Sequence, residues 1–266
     1  TNSTERIRPN KWAATALLAR TYLYNGDWTN AEIQATALID NTGMYSLSTL
    51  NTVFLKNNNE VIWQLQTLST QWNTDMGRIF ILPPTGPSNS SFLDNPVYLS
   101  ERLVNNFEAG DQRKTEWIKS VTVVGTTYYY AYKYKSATLN APVTEYYTVF
   151  RLGEQYLIRA EARAQLGKLT ASDDINAIRS RAGLDNYSGS TDKTALLNAI
   201  AHERQIEMFT EWGDRWFDLK RTGKIDAVMT VVAPLKNTTW NTNLQLDPIP
   251  LYEIIQDPNI IQNPGY

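Results

Sequence analysis

The sequence predicts a mostly α-helical protein, an α-superhelix of helix pairs with an irregular loop region and a small β-hairpin. Two stretches carry apolar and small residues at helical spacing, and a glycine interrupts each of them. Between them lies a long segment rich in Ser, Thr, Asn, Gly and Pro, and prolines punctuate the end of the chain. The 266 residues are enough for one large domain or two small ones.

The first helix pair is predicted over about residues 9–42. Pro9 lies near its first turn, Asn25-Gly26-Asp27 interrupts it, and residues 28–41 form an antiparallel partner that Gly43 ends. Small and aromatic residues alternate along both helices with the spacing typical of tetratricopeptide-like hairpins. We therefore expect this pair to be one unit of the superhelix.

The loop region and hairpin are predicted over about residues 60–140. A short apolar run ends at Leu65, a polar loop continues to Pro96, and residues 97–107 favour a short helix. The hairpin is predicted from two strand-like segments around a turn, at 120–124 and 128–135 around Gly125-Thr126-Thr127.

A second helix pair and a long helix are predicted over about residues 149–221. The helices are expected at 149–166, 172–182 and 194–211, with Gly167 and Gly183 at the ends of the first two. Residues 222–266 are predicted to form an extended tail, because five prolines divide them into short pieces.

Composition excludes several classes of function. The net charge of −2, with basic and acidic residues interleaved, argues against a nucleic-acid partner. The absence of Cys and the single His202 exclude thiol catalysis and most soft-metal sites, so no metal is expected. His202-Glu203 lacks the second histidine of a zinc-protease helix, because position 206 is Ile.

One charged stripe invites two interpretations. Glu203, Glu207 and Glu211 are four residues apart and would share one helix face. They could serve as the general acid and base of glycoside hydrolysis. Alternatively, they form a structural ion-pair network, which we favour because arginines stabilise ionised carboxylates whereas a general acid needs a raised pKa. The expected network comprises Glu203, Glu207, Glu211, Arg215, Asp218 and Arg221, with Arg204, Arg159 and Arg163 as further partners.

The loop after Leu65 contains the best candidates for ligand binding. Trp72 and Phe80 could offer apolar surfaces, while Gln66, Asn73 and Asp75 offer short hydrogen-bonding groups. A sugar needs this combination, because it has an apolar C–H face and a ring of hydroxyls. Alternatively, the segment is a polar Ω-loop whose Trp72 packs back on the core, and composition favours neither interpretation.

Five separated segments resemble the SusD/RagB family and span the chain from about residue 9 to its end. They are ALLAR with YNGDW at 16–28, EVIW at 60–63, RLGEQYLIRAEA at 151–162, ERQIE with EWGDRWFDLKR at 203–221, and PIP with QNPGY at 248–266. Their order matches the family pattern, and family members extend further at the N-terminus. The chain is therefore expected to be a SusD/RagB-like C-terminal domain over residues 1–266.

The resemblance implies a fold and a function. The fold would be a superhelix of tetratricopeptide-like hairpins that supports an irregular region. The function would be that of a non-catalytic lipoprotein on the cell-surface face of the bacterial outer membrane, anchored through an N-terminal segment absent from this chain. Such a protein captures oligosaccharide or polysaccharide, or in some members peptide, and passes it to a SusC-like TonB-dependent transporter. It needs no cofactor.

We therefore expect Trp72 to stack on a sugar ring, with Gln66, Asn73 and Asp75 bonding its hydroxyls and Phe80 as a second apolar wall. The alternative from a different class is a helical-repeat scaffold that binds a peptide or protein, with no glycan site in this part of the chain.

Overall fold

Each helix of the first pair begins at a capping side chain. The Asn10 amide oxygen accepts the backbone N–H groups of Trp12 and Ala13, so α1 spans Lys11–Asn25, and Asp27 caps α2, which spans Trp28–Ile39. The predicted pair is confirmed, but α1 begins after Asn10 rather than at residue 9. Helix α2 ends at Ile39, before the expected stop at Gly43.

The computed structural model describes residues 5–67, 71–88 and 95–266. The chain divides into two compact units, Thr1–Phe209 and Thr210–Tyr266. In the first unit the helices after α2 are α3 Asp75–Phe80, α4 Glu101–Asn105, α5 Gln112–Trp117, α6 Leu152–Gln165, α7 Ala171–Arg181 and α8 Lys193–Glu207. Its strands are β1 Val61–Leu65, β2 Ile118–Val123, β3 Thr126–Ala131 and β4 Tyr147–Arg151.

Helix α6 is the centre of the first unit and packs against α1, α2, α7 and α8. Small residues make this close packing possible, since Ala160, Ala162 and Ala164 are all buried and face different neighbours. Ala162 joins a cluster with the first helix pair, whereas Ala160 and Ala164 join a cluster with α7 and α8. The helical layer is therefore continuous across the unit.

Strand β4 was not predicted, because residues 149–151 were assigned to the second helix pair. They are instead extended and pair antiparallel with β1, with Leu65 opposite Tyr147 and Val61 opposite Arg151. The segment 147–151 is rich in aromatic and β-branched residues, which favour a strand once a partner strand is present. Helix α6 begins directly after it, at Leu152.

The β2–β3 hairpin turns one residue earlier than predicted. Its two turn residues are Val124 and Gly125, both with positive φ, and Val123 pairs directly with Thr126. This is the two-residue turn that matches strand twist. Val124 tolerates the unfavourable φ at a fully exposed tip.

The second unit is more helical than the predicted extended tail. It contains α9 Asp214–Arg221, α10 Ile225–Val232 and α11 Leu251–Gln256, with 3-10 turns at Pro234–Lys236 and Thr242–Gln245. Asp226 organises it by accepting hydrogen bonds from the Trp240 indole at 2.7 Å and the Gln245 amide at 3.0 Å. The prolines lie at the boundaries of these short elements, where they do not remove helical hydrogen bonds.

The mostly α-helical fold class is confirmed. In the parts of the chain that the structure describes, every helix is too short or too polar to cross a lipid bilayer.

Candidate functional site

A short helix presents the residues that were predicted to bind a ligand. Helix α3 begins at Asp75 because the Thr74 hydroxyl accepts the backbone N–H of Gly77 at 3.0 Å. Residues 68–70, immediately before this segment, lie outside the described residues. Gly77 is buried, so α3 lies directly on the protein and its other face is available to solvent.

Asn73 anchors this segment instead of facing solvent. Its amide oxygen accepts the backbone N–H groups of Thr144 and Glu145 at 2.6 and 3.0 Å, and its amide nitrogen donates to Pro142 at 3.1 Å. The residue is only 1% exposed. The prediction that Asn73 contacts a ligand is therefore wrong, because both ends of its amide are bonded to the protein itself.

Phe80 is also directed toward the protein. It is partly buried and packs against the core cluster that contains Phe54, Val104, Trp117 and Phe209. An apolar ring at the end of a short helix gains more from this burial than from exposure. Phe80 therefore supports α3 on the side that faces the core. This position does not favour the predicted role of Phe80 as an apolar wall of a ligand site.

Trp72 and Asp75 lie on the solvent side and are joined by Arg78. The Arg78 guanidinium carbon is 5.5 Å from the centre of the Trp72 ring, and its Nε donates to the Asp75 carboxylate at 3.1 Å. Trp72 is half-buried, and the Asp75 side chain is 61% exposed. The cation fixes the ring and the carboxylate relative to each other, so the three groups form one surface.

Tyr147 of β4 completes this surface. Its hydroxyl donates to the Asp75 carboxylate at 2.9 Å and accepts the Asp75 backbone N–H at 2.7 Å. Burial, together with the Asp75 carboxylate, raises the pKa of Tyr147, so the hydroxyl keeps its proton at neutral pH. Gln66 is exposed and directly follows Leu65, the ladder partner of Tyr147, so strand register places it at the same end of the β1–β4 ribbon.

The structure therefore brings together Trp72 and Asp75, with Gln66 alongside by register. Sequence reasoning missed Arg78 and Tyr147. The spacing of Asp75 and Arg78, three residues apart, could have indicated their ion pair had α3 been recognised as a helix. Tyr147 is 72 residues from Asp75 in sequence, and no local pattern indicates the contact.

We call Trp72, Asp75, Arg78 and Tyr147 the Trp72 surface. It combines an amphipathic ring with a carboxylate, a guanidinium and a phenol, a set that can stack on an apolar face while bonding hydroxyl groups. In the described residues, histidines, cysteines and acids are nowhere grouped in threes that could bind a metal. The surface is therefore suited to a neutral polar ligand with an apolar face.

Glu203 and Glu207 take part in a buried ion-pair network. Glu207 contacts Arg113 at 3.1 Å and Arg151 at 2.6 Å, and it also pairs with Arg181. Glu203 pairs with Arg113 as well. Both glutamates are almost fully inaccessible to solvent, so neither carboxylate can meet an external substrate.

Burial and the arginines have opposite effects on the pKa values of these two carboxylates. Burial alone would raise the pKa of Glu207, but Arg181, Arg151 and Arg113 outweigh it and hold that pKa far below its usual value. Burial raises the pKa of Glu203, which Arg113 only partly offsets. The network therefore fixes Glu207 as a permanent anion between three cations.

The arginines seen here against Glu203 and Glu207, namely Arg113, Arg151 and Arg181, were not among those predicted. Arg159 and Arg163 pair with Asp174 instead, at 2.7 and 3.0 Å. Glu211 lies beyond the end of α8, so it does not extend the helix face of the network carboxylates. The arginines that replace them come from α5, β4 and α7, which no spacing in the sequence relates to α8.

The other members of the predicted stripe lie in the second unit. Arg215, Asp218 and Arg221 are on α9, and Asp218 pairs with Arg221 one turn later on the same helix. Both side chains of that pair are nearly buried, so this is an ion pair internal to α9.

Comparison with known proteins agrees with this architecture. The SusD family model matches residues 70–266. A SusD superfamily protein from Bacteroides vulgatus matches 100% of this chain and 64% of its own, with 23% identity and a TM-score of 0.82. A second protein of that superfamily and species matches 100% of this chain and 62% of its own, with 26% identity and a TM-score of 0.76.

A third solved structure is the surface glycan-binding protein A from Bacteroides uniformis. It matches 96% of this chain and 61% of its own, with 20% identity and a TM-score of 0.73. Curated protein sequences gave no match. The chain thus spans less than two thirds of the length of these solved relatives.

The fold and the loop-borne surface together define a helical-hairpin protein that carries a polar, partly aromatic surface on an irregular region. Within that class, the chain belongs to the SusD family, since the family model matches most of its length.

Proposed function

We propose that the chain is a non-catalytic, glycan-binding part of an outer-membrane nutrient uptake system, and that the Trp72 surface contacts the glycan. The observation that supports this most directly is the group formed by the half-buried Trp72 and Arg78 and the exposed Asp75, held together by a 3.1 Å ion pair and a cation–π contact. The similar structure from Bacteroides uniformis is a surface glycan-binding protein, which points in the same direction.

The proposed contacts follow from the chemistry of the surface. The Trp72 ring stacks on the C–H face of a sugar, while Asp75 and Gln66 accept and donate hydrogen bonds to its hydroxyls. Arg78 and Tyr147 hold the Asp75 carboxylate in one orientation, so the surface needs little reorganisation when the sugar binds. The affinity is modest because a surface of this kind buries few groups.

The absence of catalysis is part of the proposal. Glu203 and Glu207, two of the three carboxylates that the sequence suggested for acid–base chemistry, are buried among arginines. By the same proposal, the complete protein lies on the cell-surface face of the outer membrane through a lipid anchor and delivers its glycan to a SusC-like TonB-dependent transporter.

The test is a neutral-glycan array followed by calorimetric titration of the best ligand. Replacing Trp72→Ala should weaken binding by about tenfold or more, because stacking on an aromatic ring contributes roughly 1–2 kcal/mol. Thermal stability should change little. Tyr252→Ala, which removes a ring that is 68% exposed in the second unit, should leave binding unchanged.

Binding by Trp72→Ala with the wild-type affinity would reject the Trp72 surface as the glycan site. Turnover of an oligosaccharide by the purified chain would reject the non-catalytic assignment.

A second candidate function is a scaffold that binds a peptide or protein. It is favoured by Leu17 on α1 and Ile33 on α2, which are 52% and 53% exposed. If this function is correct, Leu17→Glu with Ile33→Glu abolishes binding to an immobilised peptide library, and the chain binds no glycan.

A further inference from the structure

One face of the β2–β3 hairpin carries a row of tyrosines. Successive side chains of a strand point to opposite faces, so Tyr128 and Tyr130 share one face of β3. Tyr132 follows at the same spacing, directly beyond the end of the strand. Tyr129 points to the opposite face, where it packs against the buried core cluster. The row therefore lies on the face of the hairpin that is turned away from that cluster.

A fourth tyrosine widens the row at one end. The Leu99 backbone N–H donates to the Tyr129 carbonyl at 2.7 Å, so the chain at residues 98–99 runs beside β3. Leu99 is buried, whereas Tyr98 is 52% exposed. The Tyr98 ring contacts the Tyr128 ring, with the ring centres 5.2 Å apart and the planes nearly perpendicular. We call Tyr98, Tyr128, Tyr130 and Tyr132 the tyrosine strip.

Two lysines hold the other end of the strip. Lys119 pairs directly with Tyr130 across the hairpin, so both side chains lie on the face of the strip. The ammonium nitrogens of Lys119 and Lys135 are 5.8 and 4.4 Å from the centre of the Tyr132 ring. The Tyr130 and Tyr132 ring centres are 6.4 Å apart, again with nearly perpendicular planes. These contacts restrict the rings, so little freedom is lost when a ligand binds to them.

The strip offers aromatic surface and hydroxyl groups without an acid. Its rings are half-buried or exposed, and its four phenol oxygens make no hydrogen bond to any residue that the structure describes. The residues of β2 on the same face are Lys119, Val121 and Val123, none of which is acidic. The strip extends over about 13 Å from Tyr128 to Tyr132. It is therefore suited to an elongated ligand with apolar faces and many hydroxyls.

A short segment connects the strip to the Trp72 surface. Helix α3, which carries part of that surface, ends at Phe80, and the chain then leads to Gly86. A Cβ on Gly86 would lie 2.9 Å from a Val123 methyl group and 3.8 Å from the Tyr128 ring, so the backbone at Gly86 lies against the hairpin. Six residues span at most about 20 Å. One ligand chain can therefore reach both surfaces.

From this geometry we propose that the tyrosine strip is a second contact surface for a neutral, linear glycan chain that also contacts the Trp72 surface. The closeness of the two surfaces and the unbonded hydroxyls of the strip favour a glycan over a peptide. This inference rests on the proposed glycan-binding function and adds selectivity for chain length. Two linked contacts bind a long chain more tightly than one contact binds a short chain.

The test is calorimetric titration with three neutral hexasaccharides and their disaccharides. The probes are maltohexaose, xylohexaose and mannohexaose, with maltose, xylobiose and mannobiose. At least one hexasaccharide should bind to the wild-type chain about tenfold or more tightly than its disaccharide, because only the longer probe reaches both surfaces.

The decisive variant is Tyr128→Ala with Tyr130→Ala. Its affinity for the hexasaccharide should fall about tenfold, to nearly that of the disaccharide, whereas its affinity for the disaccharide should not change. Trp72→Ala should instead weaken the binding of both lengths, because it removes the contact that they share.

A second variant guards against loosening of the hairpin. Tyr98→Ala changes a 52% exposed ring outside β2 and β3, so it should lower the hexasaccharide affinity several-fold without changing thermal stability. Tyr252→Ala, which removes a 68% exposed ring in the second unit, is the matched control and should bind both lengths as wild type does.

Four outcomes would overturn the inference. They are equal wild-type affinities for the hexasaccharides and their disaccharides, no binding of any hexasaccharide, a length preference that survives both strip variants, and binding of a ten-residue polyproline peptide to the strip as tightly as the best hexasaccharide. The proposed function is decided separately by the neutral-glycan array with Trp72→Ala. A loss of binding in Trp72→Ala but in neither strip variant therefore overturns the strip alone.

Discussion

Two glycines mark positions where a single methyl group would disturb the structure. A Cβ on Gly77 would lie 2.3 Å from the Ser136 carbonyl oxygen, and a Cβ on Gly153 would lie 2.4 Å from the Arg151 guanidinium. Neither glycine has a positive φ, so the requirement comes from close packing rather than from backbone conformation. Gly77 lets α3 lie directly on the backbone at residue 136, and Gly153 leaves room for the buried ion-pair network.

Replacing Gly77→Ala should therefore affect both stability and binding. The added methyl group pushes α3 away from Ser136, which should cost about 1–3 kcal/mol of unfolding free energy. Since α3 carries Asp75 and Arg78, the affinity for the glycan should fall as well. Calorimetric melting and glycan titration measure the two effects. Gly43→Ala is the matched control, because a Cβ there has no neighbour within 4 Å, and a Gly77→Ala protein identical to that control would contradict this packing argument.

At the scale of elements, α3 depends on a contact from a distant strand. It has six residues, too few to be stable as an isolated helix. Its first turn is held by the Thr74 cap and by the Tyr147 hydroxyl, which bonds both the backbone and the carboxylate of Asp75. The β1–β4 ribbon thus supports the element that presents the Trp72 surface.

Tyr147→Phe should loosen the start of α3 without disturbing the ribbon. Loss of the hydroxyl removes two hydrogen bonds to Asp75, so we expect unfolding free energy to fall by about 1 kcal/mol and glycan affinity to fall several-fold. Tyr266→Phe removes one phenol hydrogen bond in the second unit and should not alter binding. Equal affinities of Tyr147→Phe and wild type would mean that Asp75 is positioned without Tyr147 or does not touch the ligand.

At the scale of the first unit, the buried network joins elements that are far apart in the sequence. Glu207 of α8 bonds arginines from α5, β4 and α7, and two of these arginines also bond Glu60. A buried ion pair adds little net stability, because the cost of desolvation offsets the attraction. Removing one partner is nevertheless costly, since it leaves the others charged and buried.

Glu207→Gln should accordingly lower the free energy of unfolding by about 3–5 kcal/mol at neutral pH. The pKa of Glu207 is depressed in the folded state, so its contribution is complete above the unfolded pKa and is lost as the pH falls through the folded one. The stability difference between wild type and Glu207→Gln should therefore shrink as the pH is lowered from 7 into the acid range. Denaturant unfolding at a series of pH values measures it.

Glu203→Gln provides the contrast. Burial raises the pKa of Glu203, so its ionisation disfavours folding above the unfolded pKa and this cost is relieved as the pH falls. The difference in unfolding free energy between wild type and Glu203→Gln should therefore change with pH in the direction opposite to that for Glu207→Gln. The same trend in both variants would show that the two carboxylates do not titrate as the network geometry requires.

The sequence alone determined the helical class, the first helix pair, the family and the segment that carries Trp72. These follow from local signals, namely helical spacing, capping residues such as Asp27 and motifs read directly along the chain.

Only the tertiary structure decided which members of that segment are accessible. Asn73 and Trp72 are adjacent in sequence, yet one is buried by bonds to residues 142–145 and the other is half-exposed. The tertiary structure also decided that β4 is a strand, that Tyr147 completes the Trp72 surface and that Arg113 completes the buried ion-pair network. The reason is physical: a strand needs its partner and a buried polar group needs its bonding groups, and both come from residues too distant in sequence to leave a local pattern.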